Sequence, residues 1–135
     1  MSRANVELVR RIYDALNRRD GETPFELYAE DIVWISSPSR AAVGLEPIYY
    51  GHEGVRRFWR DALSVFGEVS LELEEVTDAG HQVLAVVCER EVGRASGVPV
   101  EAIHFAVWTL ANGHVSQMQI FDERQRALEA VGLRD

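Results

Sequence analysis

The strongest constraint on the fold lies in the last third of the chain, where two strand-like runs, Val100 to Leu110 and Val115 to Phe121, flank Asn112-Gly113. An Asn-Gly pair between alternating apolar runs is a strong hairpin signal, because both residues tolerate the positive φ angles of the tightest hairpin turns. The second run ends in Asp122, just before a short helical segment. A carboxylate at the end of a strand that lines a pocket is well placed for proton chemistry, which makes Asp122 the first catalytic candidate.

At 135 residues and 47% hydrophobic, the chain suits a single domain, 1-135, able to bury about two-thirds of the surface that its unfolded state exposes. A net charge of −8 argues against nucleic acid or an anionic membrane as partner, since both call for clustered cations. All 14 basic residues are arginine, so no lysine can form a Schiff base or act as a general base. The one cysteine, Cys88, lies in an apolar run and reads as a small buried hydrophobe. The start of the chain, Met1 to Arg11, has no apolar core of signal-peptide length, and no stretch reaches the roughly 18 apolar residues of a membrane span. A cytoplasmic protein is the expectation.

Ser2 or Asn5 can cap a first helix whose Val9, Ile12, Tyr13 and Leu16 recur at helical spacing, with Asp20-Gly21 as its stop. Thr23-Pro24 reads as the N-cap and first residue of a short helix through Tyr28 and Ala29. A short strand over Ile32 to Ile35 follows. Ser36 to Gly51 shows little periodicity and reads as a long loop, a candidate lid. Glu53 to Phe66 returns to helical spacing, with Val55, Phe58, Trp59, Ala62 and Leu63 on one side. Strands are then expected over Val69 to Thr77 and Gln82 to Val92, a connection over Gly93 to Pro99, the terminal hairpin, and a closing helix Glu123 to Val131 with Gly132 as its C-cap. Helices segregated from antiparallel strands define an α+β domain.

This order of elements, together with Ala29-Glu30-Asp31-Ile32-Val33-Trp34, Tyr50-Gly51-His52-Glu53-Gly54-Val55-Arg56, Val107-Trp108-Thr109-Leu110-Ala111-Asn112-Gly113 and Ala127-Leu128-Glu129-Ala130-Val131-Gly132-Leu133, resembles the SnoaL-like branch of the nuclear transport factor 2-like superfamily. The resemblance implies a curved sheet wrapped around helices into a cone with a pocket, and a homodimer formed through the outer sheet face. The same fold hosts polyketide cyclases, isomerases, epoxide hydrolases and dehydratases as well as binding modules, so fold alone does not settle function.

On that resemblance the cone would be lined by Ile12 and Tyr13, by Trp34 and Ser36, by Phe58 and Trp59, and by His104, Trp108, Met118, Ile120 and Asp122. Such a lining suits a small apolar or aromatic ligand, though the same side chains could simply fill a core. Asp122 resembles the acid/base aspartate of the SnoaL-type cyclases. It could equally cap the closing helix. His104 is a proton shuttle or a satisfied core residue, and Tyr13 a hydrogen-bond donor to substrate or a packing residue. Glu89, Arg90 and Glu91 are expected to pair across strands or at a dimer interface, and Glu72, Glu74 and Glu75 to form a solvated sheet edge. His52, His81 and His114 are expected at solvated turns. Neither metal-ligand spacing nor a nucleotide-binding loop is present, so no metal and no cofactor is expected. The steroid-isomerase pattern is unmatched at Ile12, Ser36 or Ser37, and His104, and Arg90 with Asp122 matches the epoxide-hydrolase arrangement only in part.

Hairpin register decides which of these residues meet, because a shift by one residue moves every side chain to the other face. A two-residue Asn112-Gly113 loop would put Met118, Ile120 and Asp122 with Ile103, Phe105 and Val107. A three-residue Ala111-Asn112-Gly113 loop would put Asp122 with His104 and Trp108, and the family pattern, with polar residues at the position of His104, favours it. Two functions follow: cofactor-free acid/base chemistry of the cyclase, isomerase or dehydratase type, or a non-catalytic ligand-binding or dimerisation module.

Overall fold

A computed structural model describes residues 3–92 and 97–133. Gly93 and the rest of the expected connection up to Ser96 lie outside them, as does Ser2. The elements run α1 (Arg3–Asn17), α2 (Thr23–Leu27), β1 (Tyr28–Ile35), α3 (Pro38–Ala42), β2 (Ile48–Tyr50), α4 (Gly51–Phe66), β3 (Glu68–Ala79), β4 (Gln82–Val92), β5 (Pro99–Ala111), β6 (His114–Phe121) and α5 (Arg124–Ala130). The six strands make one sheet in the order β2-β1-β6-β5-β4-β3, confirming the α+β class. The sheet is mixed, because β1 runs parallel to β6 while every other pair is antiparallel. A purely antiparallel sheet was the expectation; the helices and loop after β1 allow β6 to return beside it in the same direction.

The two long amphipathic helices form as their spacing demands. Val9, Ile12, Tyr13 and Ala15 of α1 and Gly54, Val55, Phe58 and Ala62 of α4 are buried, and both stripes face the same core cluster as Val83, Ala85, Val87, Trp108, Met118 and Ile120 of the sheet. Asn17 pins α1 to β3 by a reciprocal pair of bonds, its Nδ2 donating to the Leu71 carbonyl at 2.6 Å and its Oδ1 accepting from the Leu71 amide at 2.9 Å. Asn5 is inside α1, where its side chain bonds the Gly80 carbonyl instead of capping.

Three boundaries depart from the sequence reading. Thr23 is the first residue of α2 rather than its cap, and its hydroxyl goes to Asp20. Tyr28 and Ala29 belong to β1, which is longer at its start than Ile32. The 36–51 segment is not one long loop but holds α3, opened by Ser37 and Pro38, and the edge strand β2; five and three residues are too few to show a period.

On the other side of the sheet, α5 lays Ala127 and Leu128 onto Leu84, Val86, Phe105 and Val107. The chain itself therefore covers the centre of the outer face. Among the described residues no helix is long and apolar enough to cross a membrane.

Candidate functional site

The terminal hairpin sets the site, and it does so by a route that combines both expected registers. Ala111 pairs directly with His114, and Asn112 and Gly113 take φ of 55° and 78°. That is the two-residue turn with both φ angles positive, so the three-residue loop is not formed. A bulge between Thr109 and Leu110 on one strand and Gln117 and Val115 on the other then shifts the register, with Ser116 as the extra residue. Beyond it Trp108 faces Met118 and Ala106 faces Ile120, which puts His104, Trp108, Met118, Ile120 and Asp122 on one face. The face is the one the three-residue loop would have given; its cause is the bulge.

On that face the strands bring together charges far apart in sequence. Alternation along β4 points Val83, Ala85, Val87, Glu89 and Glu91 inward, and Val87 pairs with His104. Arg40 enters from α3, its Nη2 donating to Glu89 Oε1 at 2.6 Å and lying 3.2 Å from His104 Nδ1. His104 Nδ1 is also 3.3 Å from Glu89 Oε1. It accepts from the guanidinium in one tautomer and donates to the carboxylate in the other. All three residues are buried, at 9%, 5% and 7% exposure.

Burial pushes Glu89 up, but the His104 hydrogen bond and the Arg40 charge outweigh it and hold the carboxyl well below its ordinary value. Burial pushes His104 down, against the pull of Glu89. At neutral pH the cluster is therefore a guanidinium, a carboxylate and a neutral imidazole. Glu91, two residues along the same face, is pushed up to about 7, first by burial and then by the neighbouring Glu89 carboxylate. Its Oε2 is buried with no partner among the described residues.

Asp122 neither caps the closing helix nor lines the cavity. It is exposed, and the closing helix begins from Glu123 with no side-chain cap. Its carboxylate instead takes the Ser39 hydroxyl at 2.6 Å and the Ser39 amide at 3.2 Å, tying down the first turn of α3 one residue before Arg40. Burial raises the Asp122 carboxyl, and these bonds from Ser39 outweigh it and hold it low. The catalytic expectation placed this carboxylate in the cavity; the structure places it at the surface, as a latch on the segment that delivers Arg40.

The remaining expected residues divide. Tyr13, Trp34, Phe58, Trp59, Trp108, Met118 and Ile120 line one cavity together with Arg40, Glu89 and His104. The Trp108 indole donates to Tyr13 Oη at 3.1 Å, which leaves the Tyr13 proton for another acceptor, and burial raises Tyr13 so that it keeps that proton. Ile12 and Ser36 are buried but outside this lining. The rings pack closely, with Tyr13 edge-on to Trp108 at 5.5 Å and Trp34 edge-on to it at 5.8 Å. The space between them is about 30 Å3, room for about two waters. A second chamber of about 320 Å3 adjoins it, sharing Leu16, Trp59, Val69 and Leu71 as common walls. Among the described residues no group of three or more His, Cys, Asp and Glu could hold a metal.

This arrangement of helices within a curled sheet has counterparts, and the decisive one is a family model, the SnoaL-like domain, which matches residues 9–118. The chain belongs to the SnoaL-like domain family. Solved structures agree on the fold. An NTF2-like protein of unknown function from Burkholderia pseudomallei is 23% identical with a TM-score of 0.82, covering 98% of this chain and 99% of that one. TerC, crystallised with polyporic acid, is 20% identical with a TM-score of 0.81 over 95% and 98% of the two chains. A protein of ketosteroid isomerase-like fold from Catenulispora acidiphila, in complex with trimethylamine, is 16% identical with a TM-score of 0.70 over 95% and 94%. No curated protein sequence matches the chain significantly.

In this SnoaL-like chain the sequence reading missed Arg40, and with it the buried side of Glu89, which does pair across strands with His104 but also holds Arg40. Arg40 sat in the segment read as loop, and Ser37-Pro38, the usual opening of a helix, was the available signal. Glu89 was expected at a cross-strand pair or interface. Counting by twos from Val83, Ala85 and Val87 would have put it inside. Arg90 does pair across strands, with Glu101 at 2.9 Å and Glu72 at 3.2 Å, and Glu72, Glu74 and Glu75 are exposed on the edge strand as expected. His81 and His114 are exposed, whereas His52 is half-buried, bonded to the Tyr28 carbonyl and edge-on to Phe25.

Proposed function

We propose that this SnoaL-like protein binds a small, largely apolar or aromatic molecule between the sheet and α1 and α4, and transfers a proton on it without a cofactor. His104 exchanges the proton, and Arg40 with Glu89 fixes its state. One observation carries the reading: a buried guanidinium, carboxylate and imidazole in the wall of an otherwise aromatic cavity. Burying ions costs several kcal/mol that close pairing only partly offsets, and such clusters concentrate where chemistry is done.

Neutral imidazole is both donor and acceptor. With Nδ1 held by Arg40 and Glu89, Nε2 is the nitrogen left for a ligand. Tyr13 offers its proton to an oxygen on which negative charge develops. This set suits removal of a proton from carbon beside a carbonyl and its return elsewhere, the common core of isomerisation, aldol-type cyclisation and dehydration. Asp122 contributes by positioning α3.

A second reading, binding without chemistry, is favoured by the tight inner space. The aryl ketone 2-acetonaphthone separates the two. All three tryptophans of the chain line the inner cavity, so binding must change intrinsic fluorescence. Faster exchange of the ketone's methyl hydrogens in D2O, followed by NMR and lost in His104→Gln, is the expected result. Binding without exchange leaves the module reading, and no binding rejects both.

A further inference from the structure

Resting on that reading of the cavity, we infer that the outer chamber is a recognition site for an anionic group, so that the ligand is an apolar or aromatic acid held with its carboxylate at the rim beside Arg19 and Arg56 and its body directed past Trp59. The chamber's walls include Leu16, Pro24, Phe25, Trp59, Leu63 and Leu71, and its polar side chains are Asn17, Arg19, Asp20, Arg56 and Tyr28, whose buried hydroxyl has no partner among the described residues and is a further donor to a bound oxygen. At about 320 Å3 it reaches the size of small-molecule sites, which the inner cavity does not.

The polar groups divide by what they already bind. Asn17 spends its amide on the Leu71 backbone. Asp20 accepts the Glu22 and Thr23 amides and the Thr23 hydroxyl, and these bonds hold it ionised down to about 2. The arginines differ. Among the described residues Arg19 has no acid partner, and its guanidinium makes one hydrogen bond, a 3.4 Å contact to the Leu16 carbonyl. Arg56 lies over the Phe25 ring at 4.5 Å, and its ion pair is with Glu53, whose side chain is 86% exposed, a pair of the weak surface kind.

Two further observations point the same way. The chain has 22 acidic residues against 14 arginines, so an uncompensated cation at the mouth of an apolar chamber runs against its composition. Arg19 also occupies φ of 62°, the position closing α1, with the Asp20 amide reaching back to the Ala15 carbonyl at 2.9 Å. Glycine is the usual residue for that conformation and any side chain there carries a strain cost. A planar guanidinium presents paired donors to a carboxylate.

The test pairs 2-naphthoic acid with 2-acetonaphthone, which share a ring system and differ in the charged group. Titrations followed by tryptophan fluorescence are expected to show the acid binding at least about fivefold more tightly at low salt, an advantage that 0.5 M NaCl removes because rim charges are screened. Arg19→Gln and Arg56→Gln should each lower affinity for the acid and leave that for the ketone unchanged. Equal affinities, or an acid preference that survives both substitutions, would overturn the inference while leaving the ketone-binding site intact. Binding of neither probe would reject the cavity reading itself.

Discussion

Glu89 shows how one residue can hold a site together. Its carboxylate answers both the Arg40 guanidinium at 2.6 Å and the His104 ring at 3.3 Å, so removing it leaves a cation buried without an anion. Glu89→Leu is expected to cost about 3–5 kcal/mol in urea unfolding, with most of it restored in the Arg40→Met/Glu89→Leu double variant, which removes both buried charges and leaves a neutral His104. Recovery in the double variant separates a charge effect from a packing effect. Glu91 adds a pH dependence of its own. Its carboxyl is raised from an ordinary 4.5 to about 7, so the native state binds the proton more tightly than the unfolded chain. A raised group contributes stability below the unfolded value and loses it as pH rises through the folded one. Between about pH 4.5 and 7 Glu91 therefore lowers the thermal midpoint as pH rises, while His104, held below its ordinary value, raises it, so Glu91→Gln should make the midpoint climb more steeply across that window in a pH series of melting curves.

Among the elements, α4 and β2 meet at a glycine. A Cβ at Gly54 would stand 3.1 Å from the Tyr49 carbonyl carbon and 3.2 Å from its Cβ, and Tyr49 is fully buried with its hydroxyl tied to Asp61 at 2.7 Å and to the Glu46 amide at 2.9 Å. The backbone cannot yield easily. Gly54→Ala should destabilise the fold by about 1–3 kcal/mol, the usual cost of overpacking, even though alanine is the better helix former; a stabilised variant in chemical denaturation would show that β2 gives way. Helical spacing over Glu53 to Phe66 marks this helix in the sequence, and Gly54 plays no part in that pattern. What makes Gly54 necessary is how closely Tyr49 packs against it.

At the scale of the whole molecule the sheet has two unlike faces. The inner one holds the aromatic cavity and its ions; the outer one is sealed at its centre by Ala127 and Leu128 of α5. Leu128→Ala should cost about 2 kcal/mol or more, because it opens a cavity over Leu84, Val86, Phe105 and Val107, and should raise binding of a hydrophobic dye. Unchanged stability and dye binding would mean that α5 rides on the sheet without closing it.

The sequence by itself determined the amphipathic helices, the antiparallel strand pairs of the C-terminal half and the SnoaL-like family, since each rests on a local period or on motifs in fixed order. The family resemblance grouped Tyr13, Trp34, Phe58, Trp59, Trp108, Met118 and Ile120 as one lining, and these residues share one cavity. Only the tertiary structure decided that Ser116 bulges and so turns His104 inward, that a five-residue helix carries Arg40 to Glu89 across 49 positions, and that Asp122 holds Ser39 at the surface instead of facing the cavity. Local patterns fix elements because their physics spans one turn or one pleat. A buried ion cluster is fixed by strand register and chain crossing, and those are settled only when the whole sheet closes around its helices.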